Sequence, residues 1–127
     1  GYPIAELKIK GHTFKVKVAR FPWQRAKGLA GAKKLNYNEG MLFLFPDKKP
    51  RTLWMKGMNF GLDIIFVDGE KIVEIVSLPA PRPNQIPVYR SHNPADKVLE
   101  LKHSICQGLQ IEEGDKIVFS RLATLVF

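Results

Sequence analysis

Residues 40–68 read GMLFLFPDKKPRTLWMKGMNFGLDIIFVD and hold the densest apolar runs of the chain. Met41–Phe45 is an unbroken apolar run, and Leu62–Val67 is a second run interrupted only by Asp63. Apolar runs of this length between turn residues are typical of strands that are buried on both faces. We therefore predict two core strands in this segment, with one acid, Asp63, placed inside the second.

The sequence on either side of this segment predicts further short strands and little helix. Residues 5–10 and 13–19 alternate apolar and polar side chains, which predicts a hairpin with one buried face and one solvent-exposed face. Pro22 and the helical spacing of Trp23, Ala26 and Ala30 predict a short helix over residues 22–30, with these three side chains inward and Gln24 mostly outward. The remaining predicted elements are strands at residues 52–56, 71–76, 98–101 and 116–119, a helical turn at 104–109, and an apolar end at 122–127 that packs or adds a strand.

This pattern favours a mostly β (α+β) fold, a compact antiparallel barrel-like sheet with one or two short helices. The chain has 127 residues, the size of one ordinary domain, so we predict a single domain over residues 1–127. Residues 46–50 and 78–93 carry several prolines and are predicted to be irregular loops, because proline cannot donate to a sheet ladder. Residues 33–40 are predicted to be a loop in which Asn38 and Gly40 are turn residues.

The chain is basic, with a formal net charge of +8. Excess positive charge draws a protein toward nucleic acid or anionic surfaces. The outer face of the predicted first hairpin carries Lys8, Lys10, Lys15 and Lys17. Lysines at such positions also prevent sheet edges from aggregating, and we favour this interpretation because no aromatic residue is interleaved among them to stack bases.

No apolar run approaches the roughly 18 residues that span a membrane, so we predict no transmembrane segment. The sequence opens at Gly1-Tyr2 without Met and is interpreted as a mature or trimmed form. A removed leader would place the protein at the cell envelope or outside the cytoplasm, and without one it is cytoplasmic. The one cysteine, Cys106, allows no internal disulfide and is expected to be a buried inert thiol.

Paired carboxylates are one route to chemistry in this sequence. If the hairpin turn is Asp68-Gly69, Asp63 faces Glu74 across the strand pair. Two acids directly opposite need a cation, a shared proton, a metal or an end of the sheet open to water, and Lys56 or Arg51 could supply the cation. Such a pair could perform acid–base catalysis. We predict no metal or cofactor, because the three histidines lack ligand spacing and the glycines are dispersed.

The triplet Trp54-Met55-Lys56 is the other candidate site. The ordinary interpretation is two core side chains beside a surface lysine. The alternative is an aromatic-lined pocket with a cationic floor, suited to an anionic or carboxylate ligand. Tyr89, at the end of the Pro-rich loop, could form its lid. The predicted ligand-binding residues are Trp54, Met55, Lys56, Asp63 and Tyr89.

The chain resembles the domain of unknown function 192 family over nearly its whole length. The resemblance is carried, in order, by the following segments: Arg25-Ala26-Lys27-Gly28-Leu29, Gly40-Met41-Leu42-Phe43-Leu44-Phe45-Pro46, Leu53-Trp54-Met55-Lys56, Leu62-Asp63-Ile64-Ile65-Phe66, Pro79-Ala80-Pro81, Tyr89-Arg90-Ser91, Val98-Leu99-Glu100-Leu101 and Gly114-Asp115-Lys116-Ile117. It implies a small prokaryotic protein, often with a leader or anchor, and a compact barrel-like β domain. It implies no established activity. The cysteine pair that the family often carries in its Pro-rich loop is absent here, and Gly57-Met58 and Gly61 replace its usual residues after the triplet.

Three functions follow as hypotheses. The first is a non-catalytic small-ligand-binding or accessory domain, with a small molecule or protein as partner. The second is an enzyme that uses Asp63 with Glu74 or Lys56 as an acid–base pair. The third is nucleic-acid or anionic-surface binding through the basic face.

Overall fold

The computed structural model describes residues 2–120. It is mostly β with two short helices, which confirms the predicted fold class. The elements, in chain order, are β1 (Ile4–Ile9), β2 (His12–Ala19), α1 (Pro22–Lys27), β3 (Glu39–Lys49), β4 (Thr52–Trp54), β5 (Leu62–Asp68), β6 (Lys71–Leu78), β7 (Val88–Arg90), β8 (Ala95–Lys102), α2 (Ile105–Leu109) and β9 (Ile117–Ser120). The prediction for residues 122–127 lies outside the described residues.

Seven of these strands form one sheet in the order β6-β5-β8-β3-β2-β1-β9, and β4 pairs with β7 in a separate small sheet. The two ends of the large sheet meet at one corner. Ile72 N donates to Asp115 O at 2.9 Å, and Ile117 N donates to Glu70 O at 2.8 Å. The sheet therefore curls into a half-barrel.

The large sheet is mixed rather than wholly antiparallel. β2 and β3 run parallel, with Val16 opposite Gly40 and Ala19 opposite Phe43. Parallel neighbours need a crossover connection, and α1 with the loop after it provides one. The other strand pairs of this sheet within the described chain are antiparallel.

The large sheet buries both of its faces over its central strands β3, β5 and β8. One cluster fills the inside of the curl and is covered at one end by α2, which contributes Cys106. A second cluster lies on the opposite face, where the segments after α1 and β4 contribute Leu29, Met55 and Met58. Alternate residues of each central strand enter alternate clusters, which explains why their sequences are continuously apolar.

Two predictions about β3 were wrong, one for the loop after it and one for the turn before it. Residues 46–49 continue β3 instead of forming a loop, with a register shift against β8 between Leu44 and Lys49. Gly40 lies inside β3 rather than in a turn, because a Cβ there would come within 2.4 Å of the Glu100 carbonyl oxygen. β3 and β8 therefore approach more closely at this point than any side chain would allow.

The first helix is shorter than predicted and faces differently. It ends at Lys27 because Gly28 adopts φ +52°. Trp23, expected to pack inward, is 64% exposed, whereas Gln24 is buried. The Gln24 Oε1 accepts hydrogen bonds from the backbone N–H groups of Arg20 and Phe21, at 3.0 and 3.1 Å. The buried Gln24 side chain thus satisfies two backbone N–H groups just before the N-terminus of α1. Because Trp23 is the neighbouring residue on the helix, it then points into solvent.

Candidate functional site

A cavity of about 200 Å³ opens on the second face of the large sheet, beside α1 and the segment that starts at β4. Its lining combines a turn of main chain, apolar side chains from the sheet, and charged side chains. The residues that line it are Arg25, Ala26, Lys27, Gly28, Leu29, Ala30, Phe43, Thr52, Leu53, Trp54, Lys56, Met58, Leu62 and Glu100.

The inner wall of the cavity is apolar. Phe43 on β3 and Leu62 on β5 are 4% and 1% exposed, and Met58 and Leu29 pack in the same cluster. Gly28 brings the main chain close to this wall, since a Cβ there would lie 3.3 Å from the Phe43 ring. An apolar organic group would fit against this wall.

The rim of the cavity carries an aromatic ring and cations. Trp54 is 60% exposed, and the Lys56 ammonium nitrogen lies 5.1 Å from the centre of a Trp54 ring. Lys27 reaches the rim from α1 and makes no ion pair within the described residues. The Arg25 guanidinium is already engaged, because it donates to the carbonyl oxygens of Arg20 and, at 3.0 Å, Leu44. Lys27 and Lys56 are therefore the rim cations best able to meet a ligand.

Glu100 of β8 also lines the cavity, and sequence reasoning missed it as a site residue. The residue is 7% exposed, and within residues 2–120 its carboxyl group has no hydrogen-bond or ion-pair partner. Burial alone raises the pKa of Glu100 to about 8. The group is therefore a neutral acid at neutral pH, with an O–H that can donate and an oxygen that can accept.

Asp63 lies away from this cavity and serves the fold. Its carboxylate accepts hydrogen bonds from Ser77 Oγ at 2.6 Å, from Ser104 N at 3.0 Å and from Cys106 N at 2.8 Å. The last two are backbone donors at the start of α2, where the Ser104 side chain makes no cap of its own. Asp63 is therefore a remote cap for this helix, and its burial is explained by three donors.

The predicted pairing of Asp63 with Glu74 is wrong. The turn is Gly69-Glu70 rather than Asp68-Gly69, and an irregularity follows between Phe66 and Val67. Together these place Asp63 opposite Ser77 and Glu74 opposite Phe66. Because side chains alternate along a strand, Asp63 and Glu74 lie on opposite faces of the sheet. The acid–base hypothesis for this pair loses its geometric basis.

Glu74 instead binds the end of the Pro-rich segment. Its carboxylate accepts hydrogen bonds from the Tyr89 hydroxyl, and from the backbone N–H groups of His92 and Asn93 at 2.9 Å each. Burial opposes ionisation of Glu74, but the bonds from Tyr89, Asn93 and His92 outweigh it and hold its pKa at about 2. The Glu74 carboxylate in turn raises the pKa of Tyr89 to about 12. The hydrogen bond from Tyr89 to Glu74 thus links β7 to β6.

The three remaining predicted residues differ in position. Met55 is 1% exposed and packs in the second core cluster, and its N–H donates to Pro87 O at 3.0 Å. Trp54 and Lys56 flank Met55 and both line the cavity. Of the five predicted site residues, the structure brings Trp54 and Lys56 together at the cavity, with Met55 beneath them, whereas Asp63 and Tyr89 have the contacts described above.

Cys106 is a buried free cysteine at the start of α2. Burial, with the nearby Asp63 carboxylate, raises the pKa of its thiol to about 12. The thiolate that acts as a nucleophile or metal ligand is therefore scarce at neutral pH. Within residues 2–120, no group of three or more His, Cys, Asp or Glu side chains is arranged to hold a metal ion. The helices of the same region are too short and too polar to cross a membrane.

Comparisons with known proteins place this geometry among uncharacterised relatives. The family model DUF192, described as "Uncharacterized ACR", matches residues 5–119. A search of curated proteins found no match. A candidate transcription regulator from Sinorhizobium meliloti 1021 has a similar crystal structure, with a TM-score of 0.85 and 27% identity, over 94% of this chain and 95% of that one. A protein of unknown function from Novosphingobium aromaticivorans has a TM-score of 0.83 and 31% identity, over 92% of this chain and 86% of that one.

Proposed function

The chain belongs to the uncharacterised DUF192 family, and we propose that it is a non-catalytic domain that binds a small organic ligand in the cavity beside α1 and β4. One observation carries the proposal. The cavity combines an exposed Trp54–Lys56 pair at its rim with Glu100, a buried carboxyl that has no partner among the described residues. A concave site that combines apolar side chains with a few convergent polar groups is the usual form of a small-molecule site.

The two acids considered for acid–base catalysis, Asp63 and Glu74, have structural roles, which favours binding over catalysis. Asp63 and Glu74, the buried acids proposed for acid–base work, are each fully engaged by donors that hold the fold. Concerted acid–base catalysis of the kind considered for Asp63 needs a second ionisable group beside the first. Glu100 has no such neighbour in the described residues, which fits a recognition role.

Small probes in protein-observed NMR test this proposal. Benzoate, benzylamine and benzyl alcohol present the same ring with an anionic, a cationic and a neutral group. We expect at least one of them to shift the amide signals of Gly28 and Ala30 and the indole signal of Trp54. The variant Trp54→Ala should weaken that binding, whereas Trp23→Ala, which removes an exposed tryptophan outside the cavity lining, should leave it unchanged. The proposal fails if none of the three probes shifts these signals.

Nucleic-acid or anionic-surface binding is a second candidate function, supported by the charge of +8 and by the description of the Sinorhizobium meliloti protein as a candidate regulator. Lys8, Lys15 and Lys17 are exposed on the first hairpin. Phosphate binding must weaken steeply as salt rises. Retention on duplex DNA that is lost in Lys15→Gln and Lys17→Gln, and that falls with salt, would support this function; no retention at low salt would exclude it.

A further inference from the structure

Glu100 lies on a central strand of the large sheet and is 7% exposed. β8 lies between β3 and β5, and Glu100 pairs with Met41 on one side and with Ile64 on the other. Among the described residues the Tyr2 hydroxyl oxygen is the fully buried side-chain polar atom without a hydrogen-bond partner, so the Glu100 oxygens keep some access to solvent through the cavity. A polar group that loses most of its hydration without gaining a partner is unfavourable. A molecule bound in the cavity can supply the partner that the described residues do not.

The charges around the cavity favour an anion as that molecule. The charged groups that line the cavity together with Glu100 are Arg25 and Lys27 from α1 and Lys56 after β4. The neighbouring strands β3 and β5 contribute the apolar side chains of Phe43 and Leu62. Among the described lining residues Glu100 is the one acid, against three cations. An ammonium ligand would be repelled by these cations, whereas a carboxylate would be attracted.

The acid form of Glu100 suits a carboxylate partner. With its pKa raised to about 8 by burial, the group still carries its proton at pH 7. An O–H that donates to a carboxylate oxygen forms a short, charge-assisted hydrogen bond. A ligand anion beside Glu100 further disfavours loss of this proton, because two like charges would then adjoin. The apolar part of the ligand would contact Phe43, Met58 and Leu62.

We propose that the cavity selects organic carboxylates with an apolar body, and that protonated Glu100 donates the hydrogen bond that recognises the carboxylate while Lys27 and Lys56 attract it. This inference rests on the proposed binding function and names the chemical class of its ligand. It also makes the binding dependent on pH, since only the acid form of Glu100 can donate.

The test is a set of titrations of the folded protein with benzoate, benzylamine and benzyl alcohol, followed by the Trp54 indole and Gly28 amide signals. We expect benzoate to bind most tightly at pH 6.5. At pH 9.5 only a few per cent of Glu100 keeps its proton, so the benzoate Kd should be about 30-fold weaker than at pH 6.5. Glu100→Gln retains a donor that does not titrate and should remove most of this pH dependence.

A matched lysine pair controls for general charge. Lys56→Gln should weaken benzoate binding several-fold, whereas Lys15→Gln, an exposed lysine on β2, should not change it. Binding of benzylamine or benzyl alcohol in preference to benzoate would overturn the carboxylate class and leave the binding function standing. A benzoate affinity that does not change between pH 6.5 and 9.5 in the wild type would overturn the role of protonated Glu100 as the donor. If none of the three probes binds at the cavity, both proposals fail.

Discussion

Replacing Glu100 by Gln should stabilise the protein at neutral pH, by an amount that depends on pH. Gln has nearly the same shape and remains a buried polar group, so the substitution removes only the ionisation of the carboxyl. The pKa of Glu100 is raised from 4.5 to about 8 in the folded state. Between these values the unfolded chain has released the proton and the folded chain has not, so stability falls as pH rises.

The size of the effect follows from the pKa difference. Each pKa unit corresponds to about 1.4 kcal/mol. Relative to pH 4, Glu100 therefore destabilises the fold by about 3 kcal/mol at pH 7 and by about 5 kcal/mol above pH 8. A group that opposes folding at neutral pH needs a reason other than stability, and ligand recognition is such a reason.

Urea unfolding of the wild type and Glu100→Gln at pH 4, 7 and 9 measures this difference. The two proteins should be equally stable at pH 4, and the variant should be the more stable one at pH 7 and again at pH 9. Glu112→Gln replaces an exposed acid and should change stability by less than about 0.5 kcal/mol at every pH. A variant that is less stable than the wild type at pH 7, or a difference independent of pH, would refute the reasoning.

Three further substitutions test the rest of the structure. Tyr89→Phe removes a donor to Glu74 and should destabilise by about 1–3 kcal/mol in urea unfolding at pH 7; the loss should shrink as pH falls from 4.5 toward 2, where Glu74 takes up a proton. Asp63→Asn should speed amide hydrogen exchange at Cys106 because it weakens the hydrogen bond to that N–H, and it should speed alkylation of the thiol by iodoacetamide because it removes a charge that raises the thiol pKa. Unchanged rates would contradict the role of Asp63 as the cap of α2. Gly40→Ala should destabilise by about 1–3 kcal/mol, because its Cβ meets backbone at 2.4 Å; a neutral effect in thermal unfolding would show that β3 and β8 can separate at no cost.

Much of the fold could be predicted because local patterns and tertiary structure agree in it. The unbroken runs in β3 and β5 are buried on both faces, as expected for central strands. The mistakes arose where tertiary contacts override local signals. Pro46 and the charges of residues 47–49 indicate a loop, yet this segment continues β3. The Pro-rich segment contains β7, which pairs with β4 far away in the sequence.

The site was only half predictable. The odd triplet around Trp54 and Lys56 identified the rim of the cavity, because an exposed aromatic residue next to a cation is visible in the sequence. Glu100 was missed because Val98–Leu101 was interpreted only as a strand. Its signal is the one that drew attention to Asp63, namely a single acid inside an apolar strand. The sequence could not show that Asp63 meets three donors and that Glu100 meets none among the described residues, because the donors come from distant segments.

Whether Glu100 keeps its proton at neutral pH and contacts a bound carboxylate can be measured by a carbon-13 NMR titration of its side-chain carboxyl, assigned by comparison with Glu100→Gln. We predict a midpoint near pH 8 for the protein alone and a higher midpoint once benzoate is added. A midpoint near 4.5 that benzoate does not move would contradict this prediction, because Glu100 would then be an ordinary solvated acid with no role in binding an anion.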